Sequence, residues 1–243
     1  MRPIDLPCPP RARSKGQRAP RKPPSRRNAT PQQRLLLLGP EPLADAELLS
    51  LMLQNSHRVS DRITHAQEAI WHFGGLSALL RSDAGSFSAR PGLSPSGWVA
   101  LQAARELLRR SALEHLQDTD VLSSPALVQE FLGHWLRDRP AECFAGLFVD
   151  NRNRVIAALE LFRGTLNQTA VYPREVARAA LRLNAAAVIF AHNHPSGIAE
   201  PSQADRLLTD ALRRALAQID VTVLDHLIVA GNRCVSFAER GWL

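Results

Sequence analysis

From about residue 43 to residue 113 the apolar positions recur at helical spacing, with no run of strict alternation. Leu43, Ala46, Leu48, Leu49 and Met52 fit one buried stripe. Asp45 and Glu47 sit early in that segment, where negative charge suits the helix dipole. A second helix covers 63–73 and stops at Gly74-Gly75, because glycine takes the left-handed conformation readily after a helix. A short helix follows at 76–80. The last one runs from about 98 to 113, with Val99, Ala103, Leu107 and Leu108 on its buried face. Residues 31–115 therefore read as an all-helical module.

After residue 115 the pattern changes. A polar, turn-rich boundary (Asp118-Thr119-Asp120 to Ser123-Ser124-Pro125) precedes a helix at 126–135, which breaks at Asp138-Arg139-Pro140. Apolar runs at 143–149 and 155–161 flank Asp150-Asn151-Arg152-Asn153, which is turn chemistry, and predict a β-hairpin. Pro173 suits the first turn of a helix over 174–183. Residues 185–190 form a buried strand by length and residue type, 205–218 an amphipathic helix, and 221–229 a strand that turns at Gly231-Asn232. Strands and helices mixed in this way predict an α+β class with an α/β/α sheet domain over 121–243.

Composition matters mainly through its distribution. The chain has 243 residues and a formal net charge of +7. Residues 1–30 hold nine of the 30 basic residues and one of the 23 acidic ones, so this stretch carries +8 and the remainder −1. The folded part is thus nearly neutral, and the overall charge gives no ground for calling it a nucleic-acid binder. With seven prolines and little to bury, residues 1–30 are expected to be a disordered basic tail. Cys8, Cys143 and Cys234 are too few and too scattered for a disulfide scaffold or a paired-cysteine zinc site, which suits a reducing, cytoplasmic setting. No apolar run reaches 18 residues, so no membrane span is expected.

The candidate chemistry lies where the 185–190 strand empties into Ala191-His192-Asn193-His194-Pro195-Ser196-Gly197. Two residues apart on an extended segment, His192 and His194 point to the same side and can reach one ion. Asp205 opens the following helix, giving the spacing H-x-H-x7-S-x2-D through Ser202. Two neutral imidazoles and one carboxylate make a three-ligand zinc site with a fourth position open, one zinc per chain, as catalytic rather than structural sites have. Asp225-His226 is a further polar pair in a strand-like run. It is expected to be hydrogen-bonded inside the fold, with support for a ligand imidazole as the competing role. Cys143 and Cys234 read as small core residues.

The chain resembles the bacterial RadC family (UPF0758), whose members carry a JAMM, or MPN-plus, metalloprotease-type domain. The resemblance rests on Phe162-Arg163-Gly164-Thr165-Leu166-Asn167, Tyr172-Pro173-Arg174-Glu175, His192-Asn193-His194-Pro195-Ser196-Gly197, Glu200-Pro201-Ser202-Gln203-Ala204-Asp205 and Asp225-His226. It covers roughly residues 31–243. It implies a zinc-hydrolase fold, His192, His194 and Asp205 as ligands, and Ser202 as a residue that helps hold the tetrahedral intermediate. It also implies a general acid/base glutamate on an earlier strand. Glu142 is at the matching place, with Glu160 and Glu175 as rivals.

The turn Arg90-Pro91-Gly92-Leu93-Ser94-Pro95-Ser96-Gly97 looks like a helix-hairpin-helix element, with Ser94 where a second glycine is usual. With the basic N-terminal region, it makes non-specific DNA a candidate partner. Two classes of function follow. One is a zinc hydrolase cutting a peptide, isopeptide or related amide bond in a peptide or protein substrate. The other is a DNA-associated repair or binding protein whose MPN domain acts on nucleic acid or serves as a scaffold.

Overall fold

The computed structural model describes residues 29–53, 58–164 and 171–243. The expected disordered tail lies, up to residue 28, outside the described residues. The chain divides into two compact units, Met1–Ala44 and Asp45–Leu243. In the first, α1 (Pro31–Leu38) is a helix the hydrophobic pattern did not predict. Its start is nonetheless written in the sequence. Thr30 Oγ1 accepts the Gln33 N–H at 3.3 Å while Gln33 Oε1 accepts the Thr30 N–H at 3.0 Å, with Pro31 as the first helical residue.

The second unit begins with five helices: α2 (Asp45–Met52), α3 (Val59–Phe73), α4 (Leu76–Arg81), α5 (Ala84–Ser88) and α6 (Pro95–Asp118). Gly74 ends α3 in the left-handed region, as its sequence predicts. Ala46, Leu49, Ala66, Leu79, Phe87 and Leu101 belong to one helical core. The turn before α6 needs a positive φ only at Gly92, where a Cβ would collide with the His65 imidazole. Ser94 is extended and caps α6, its Oγ accepting the Gly97 N–H at 3.3 Å. A serine therefore suits this position as a helix cap.

Helix α6 corrects one expectation. Val99, Ala103, Leu107 and Leu108 face solvent, while Gly97, Leu101 and Leu116 are buried. The helix runs for 24 residues and changes partners along its length. Trp98 and Leu101 pack in the helical core, and Ala112, Leu113 and Leu116 pack in the core of the sheet domain. A single stripe fitted to the whole segment therefore chose the wrong face.

The remaining elements are α7 (Pro125–Leu136), β1 (Cys143–Val149), β2 (Val155–Arg163), α8 (Pro173–Leu183), β3 (Ala187–Asn193), α9 (Gln203–Ala217), β4 (Thr222–Ala230) and β5 (Arg233–Ser236). The strands form one mixed sheet in the order β2-β1-β3-β4-β5; β3 and β4 are parallel and the other neighbours antiparallel. The predicted hairpin is β1–β2, and the short edge strand β5 was not foreseen.

Both faces of the sheet are covered, so every residue of β1 and β3 is buried, and both strands are continuous apolar runs except for His192 and Asn193 at the end of β3. Alternate residues still go to different sides. Cys143, Ala145, Leu147 and Val149 of β1, with Ala187, Ile189 and Ala191 of β3, pack with Phe131, Leu132 and Leu136 of α7. Phe144, Phe148, Val188 and Phe190 pack with Val176 and Ala180 of α8 and Leu212 and Leu216 of α9. The fold is therefore α+β, a helical region followed by a mixed sheet between two helical layers. Among the described residues no helix is long and apolar enough to cross a membrane.

Phe131 is fully buried against Trp135 in the α7 layer, with ring centroids 5.5 Å apart. Phe131→Ala should lower the unfolding free energy by about 3–5 kcal/mol, read as a drop in the urea midpoint at unchanged slope.

Candidate metal centre

Strand β3 continues past the predicted end at residue 190 and carries His192 as its penultimate residue. Parity puts His192 on the side of Val188 and Phe190, facing α9. His194 follows on the same side just beyond the strand, and its backbone N–H bonds the Val229 carbonyl of β4 at 2.9 Å. The His194 Nδ1 lies 2.8 Å from the Ile198 carbonyl. A carbonyl can only accept, so Nδ1 carries the proton and Nε2 presents a lone pair.

Asp205 reaches the same point from the first turn of α9. Ser202 is the N-cap and Asp205 closes a capping box: Asp205 Oδ2 accepts the Ser202 N–H at 2.7 Å and its O–H at 2.6 Å, and Ser202 Oγ accepts the Asp205 N–H at 3.2 Å. The carboxylate is thereby fixed at both ends. Burial acts to raise its pKa, but the adjoining His192 imidazole, followed by the bonds from Ser202, outweighs burial and holds it below the usual carboxylate range.

The three side chains converge. His192 Nε2 lies 2.9 Å from His194 Nε2 and 3.2 Å from Asp205 Oδ1, and His194 Nε2 lies 3.8 Å from Asp205 Oδ2. A tetrahedral ion with ligand bonds of roughly 2.0–2.1 Å needs donors about 3.3 Å apart. The two distances from His192 Nε2, 2.9 and 3.2 Å, lie close to that length, the His194 contact is to the other Asp205 oxygen, and two imidazoles with one carboxylate suit a zinc-like cation. Among the described residues this is the one group of three or more His, Cys, Asp or Glu able to hold an ion. His192 and Asp205 are almost wholly buried and His194 is partly open, so access is from the His194 side.

Three residues support the cluster: Asn193 and Thr209, which the sequence did not single out, and His226, for which support of a ligand imidazole was the competing role. Asn193, between the two histidines, points to the opposite face and is buried. Its Oδ1 accepts the Cys143 N–H at 2.8 Å, and its Nδ2 donates to the carbonyls of Arg139 and Ala141, each at 3.2 Å. It ties the segment around Glu142 to the histidine strand. His226 and Thr209 lie behind His192: His226 Nε2 is 2.8 Å from His192 Nδ1, and His226 Nδ1 is 2.6 Å from Thr209 Oγ1. Burial, with the neighbouring His192 imidazole second, pushes the His226 pKa well below its ordinary value.

Both expectations for Asp225-His226 have a counterpart, a hydrogen bond within the pair and an imidazole behind a candidate ligand. Asp225 accepts the His226 backbone N–H at 2.7 Å, but its carboxylate also takes the Ser236 hydroxyl and the Ala238 N–H, while the imidazole turns to His192.

The three glutamates occupy different surroundings. The β1–β3 ladder ends at the pair Phe144–His192, and Glu142 lies just before β1, half-buried, its backbone carbonyl accepting the Gly164 N–H at 2.9 Å. Glu160 pairs with Ala145, whose side chain faces α7, and its carboxylate bonds Arg163 at 2.6 and 2.9 Å and meets Arg139 at 3.3 Å. Glu175 is engaged by Arg178 and Arg174 on α8. Burial lifts the thiols of Cys143 to about 11 and Cys234 to about 12, so neither is ionised near neutrality.

Sequence comparison agrees with this geometry. Residues 122–242 match the RadC-like JAB domain family, so the sheet, its helical layers and the His-His-Asp cluster form a JAB-type domain. Residues 25–99 match the UPF0758 N-terminal family. A UPF0758 protein of Halorhodospira halophila is 51% identical over 217 residues, covering 89% of this chain and 97% of that protein. One of Methylibium petroleiphilum is 51% identical over 213 residues (88% and 96%), and one of Aeromonas hydrophila 49% over 213 (88% and 95%). The chain belongs to the UPF0758 family.

Asn193→Ala leaves the Cys143 N–H without its partner in a dry setting. It should cost about 1–3 kcal/mol of stability, measured by urea unfolding, while leaving all three candidate ligand atoms in the chain.

Proposed function

We propose that this protein is a zinc-dependent hydrolase of the JAMM type, cleaving a peptide, isopeptide or related amide bond. The observation that carries this reading is the convergence of His192 Nε2, His194 Nε2 and the Asp205 carboxylate within reach of one ion, beside a partly open edge. Zinc bound there supplies a Lewis acid that polarises a carbonyl oxygen and lowers the pKa of a water in its open position to about 7.

The chain's own residues supply the rest. Glu142, just before β1 within the segment that Asn193 holds, takes the proton of the attacking water and passes it to the leaving amine. Asn193 orients the segment that carries Glu142 through three hydrogen bonds. Ser202 has two tasks. Its N–H stays on Asp205 Oδ2, while its hydroxyl rotates from that oxygen to donate to the oxyanion as charge develops.

The experiment is zinc analysis of the purified protein, then a screen of peptides, isopeptides and nucleic acids against wild type and Glu142→Gln with zinc present. Wild type should hold about one zinc per chain, and His192→Ala/His194→Ala none. Glu142→Gln should keep the metal and lose about 10²–10⁴-fold in rate on any substrate found. Stoichiometric metal in the double histidine variant would overturn the ligand assignment. Full activity in Glu142→Gln would overturn the assignment of the base. Cleavage of nucleic acid alone would overturn the amide-bond reading.

A further inference from the structure

A metal-binding histidine must present an unprotonated nitrogen, and a neutral imidazole can place its single proton on either side of the ring. Whatever accepts a bond at Nδ1 decides whether Nε2 is free. For His194 that partner is the Ile198 carbonyl. For His192 it is another imidazole, which can donate as well as accept, so the contact alone leaves the proton's place open.

The contacts beyond His226 remove that freedom. Thr209 sits one turn after Asp205 in α9, and its hydroxyl lies 2.6 Å from the Asp205 backbone carbonyl. The carbonyl only accepts, so the Thr209 proton goes to it. Thr209 Oγ1 then has only lone pairs for His226 Nδ1, 2.6 Å away, and His226 must carry its proton there. His226 Nε2 is left as an acceptor, 2.8 Å from His192 Nδ1, which must therefore be the donor. With the proton on Nδ1, the lone pair of His192 Nε2 faces His194 and Asp205. Each link has one direction, fixed by a carbonyl in the first turn of the helix that also carries Asp205.

Position and burial fit the same role. His226 is wholly enclosed, its ring centroid 5.5 Å from Phe144 and 4.7 Å from Phe237, and Thr209 is buried. No solvent is at hand to replace a lost link.

Resting on the reading of His192, His194 and Asp205 as a metal site, we propose that Thr209 and His226 are positioning residues that hold His192 in the Nδ1-protonated tautomer with its Nε2 lone pair aimed into the cluster. Neither touches the metal or the substrate. Thr209→Val keeps the shape of the side chain and removes the hydroxyl. His226 can then turn its proton to Nε2 and donate to His192 Nδ1, which drives the His192 proton onto the nitrogen the metal needs.

The test is zinc affinity by chelator competition, joined to long-range ¹H–¹⁵N spectra of the histidine rings in the zinc-loaded protein. Thr209→Val should bind zinc about 10–100-fold more weakly than wild type, and Thr209→Ser should recover most of the loss. Wild-type spectra should show the proton of His226 on Nδ1 and that of His192 on Nδ1, an assignment that needs no variant to fold. A His226 proton on Nε2 in wild type would overturn the proposal, as would wild-type affinity in Thr209→Val. Failure of Thr209→Ser to recover affinity would also overturn it, because loss of the hydroxyl would then not be the cause. Should wild type bind no zinc at all, the metal reading fails and this one with it. Zinc in wild type with an unaffected Thr209→Val sinks the positioning role alone.

Discussion

Burial of β3 between two helical layers is the constraint from which the site follows. A strand covered on both faces must send each successive side chain into a different dry environment. At its C-terminal end the same alternation sorts polar groups: His192 goes toward α9 and the candidate ligands, and Asn193 toward the segment that precedes β1. Two jobs, presenting an imidazole and holding the neighbouring chain, fall to consecutive residues. The apolar residues that precede them fix the parity, since shifting it would turn Phe190 and its neighbours out of their cores.

Helix α9 meets this strand through its own N-terminal chemistry. The first turn of any helix leaves backbone N–H groups in need of acceptors, and a serine with an acidic residue three positions on satisfies two of them. Here that acid is Asp205, so the cap that starts the helix also aims the carboxylate. One turn later Thr209 returns a hydrogen bond to the Asp205 carbonyl and meets His226 from the other side. The helix start therefore braces two of the three candidate ligands, Asp205 directly and His192 at one remove.

How much of this was legible in the sequence depends on how far apart the partners lie along the chain. His192, His194, Ser202 and Asp205 fall within fourteen consecutive positions, and local geometry was enough to bring them together. The roles of Asn193, Thr209 and His226 depend on pairings between distant segments. His226 also hides behind a break in register: β4 carries an extra residue where Val188 pairs with Val223 but Ile189 with Asp225. Counting by twos from Val223 puts His226 on the α7 side; the extra residue turns it to His192. Helix α6 was misread for a related reason, since it leaves one core and enters another, while α1 ends in four consecutive leucines that carry no period and β5 has only four residues.

The group behind His192 also decides how much charge the cluster keeps. Ligand histidines are often backed by a carboxylate, which adds a negative charge close to the ion. Here the backing group is a neutral imidazole ending on a hydroxyl and a carbonyl, and His194 is backed by a carbonyl as well. A dication held by this set faces a single formal negative charge, that of Asp205, and the assembly retains a net charge of +1. In surroundings this dry the field of that charge is weakly screened. A cation held this way would be an electrophilic centre, one that gains most when a neighbouring oxygen acquires negative charge.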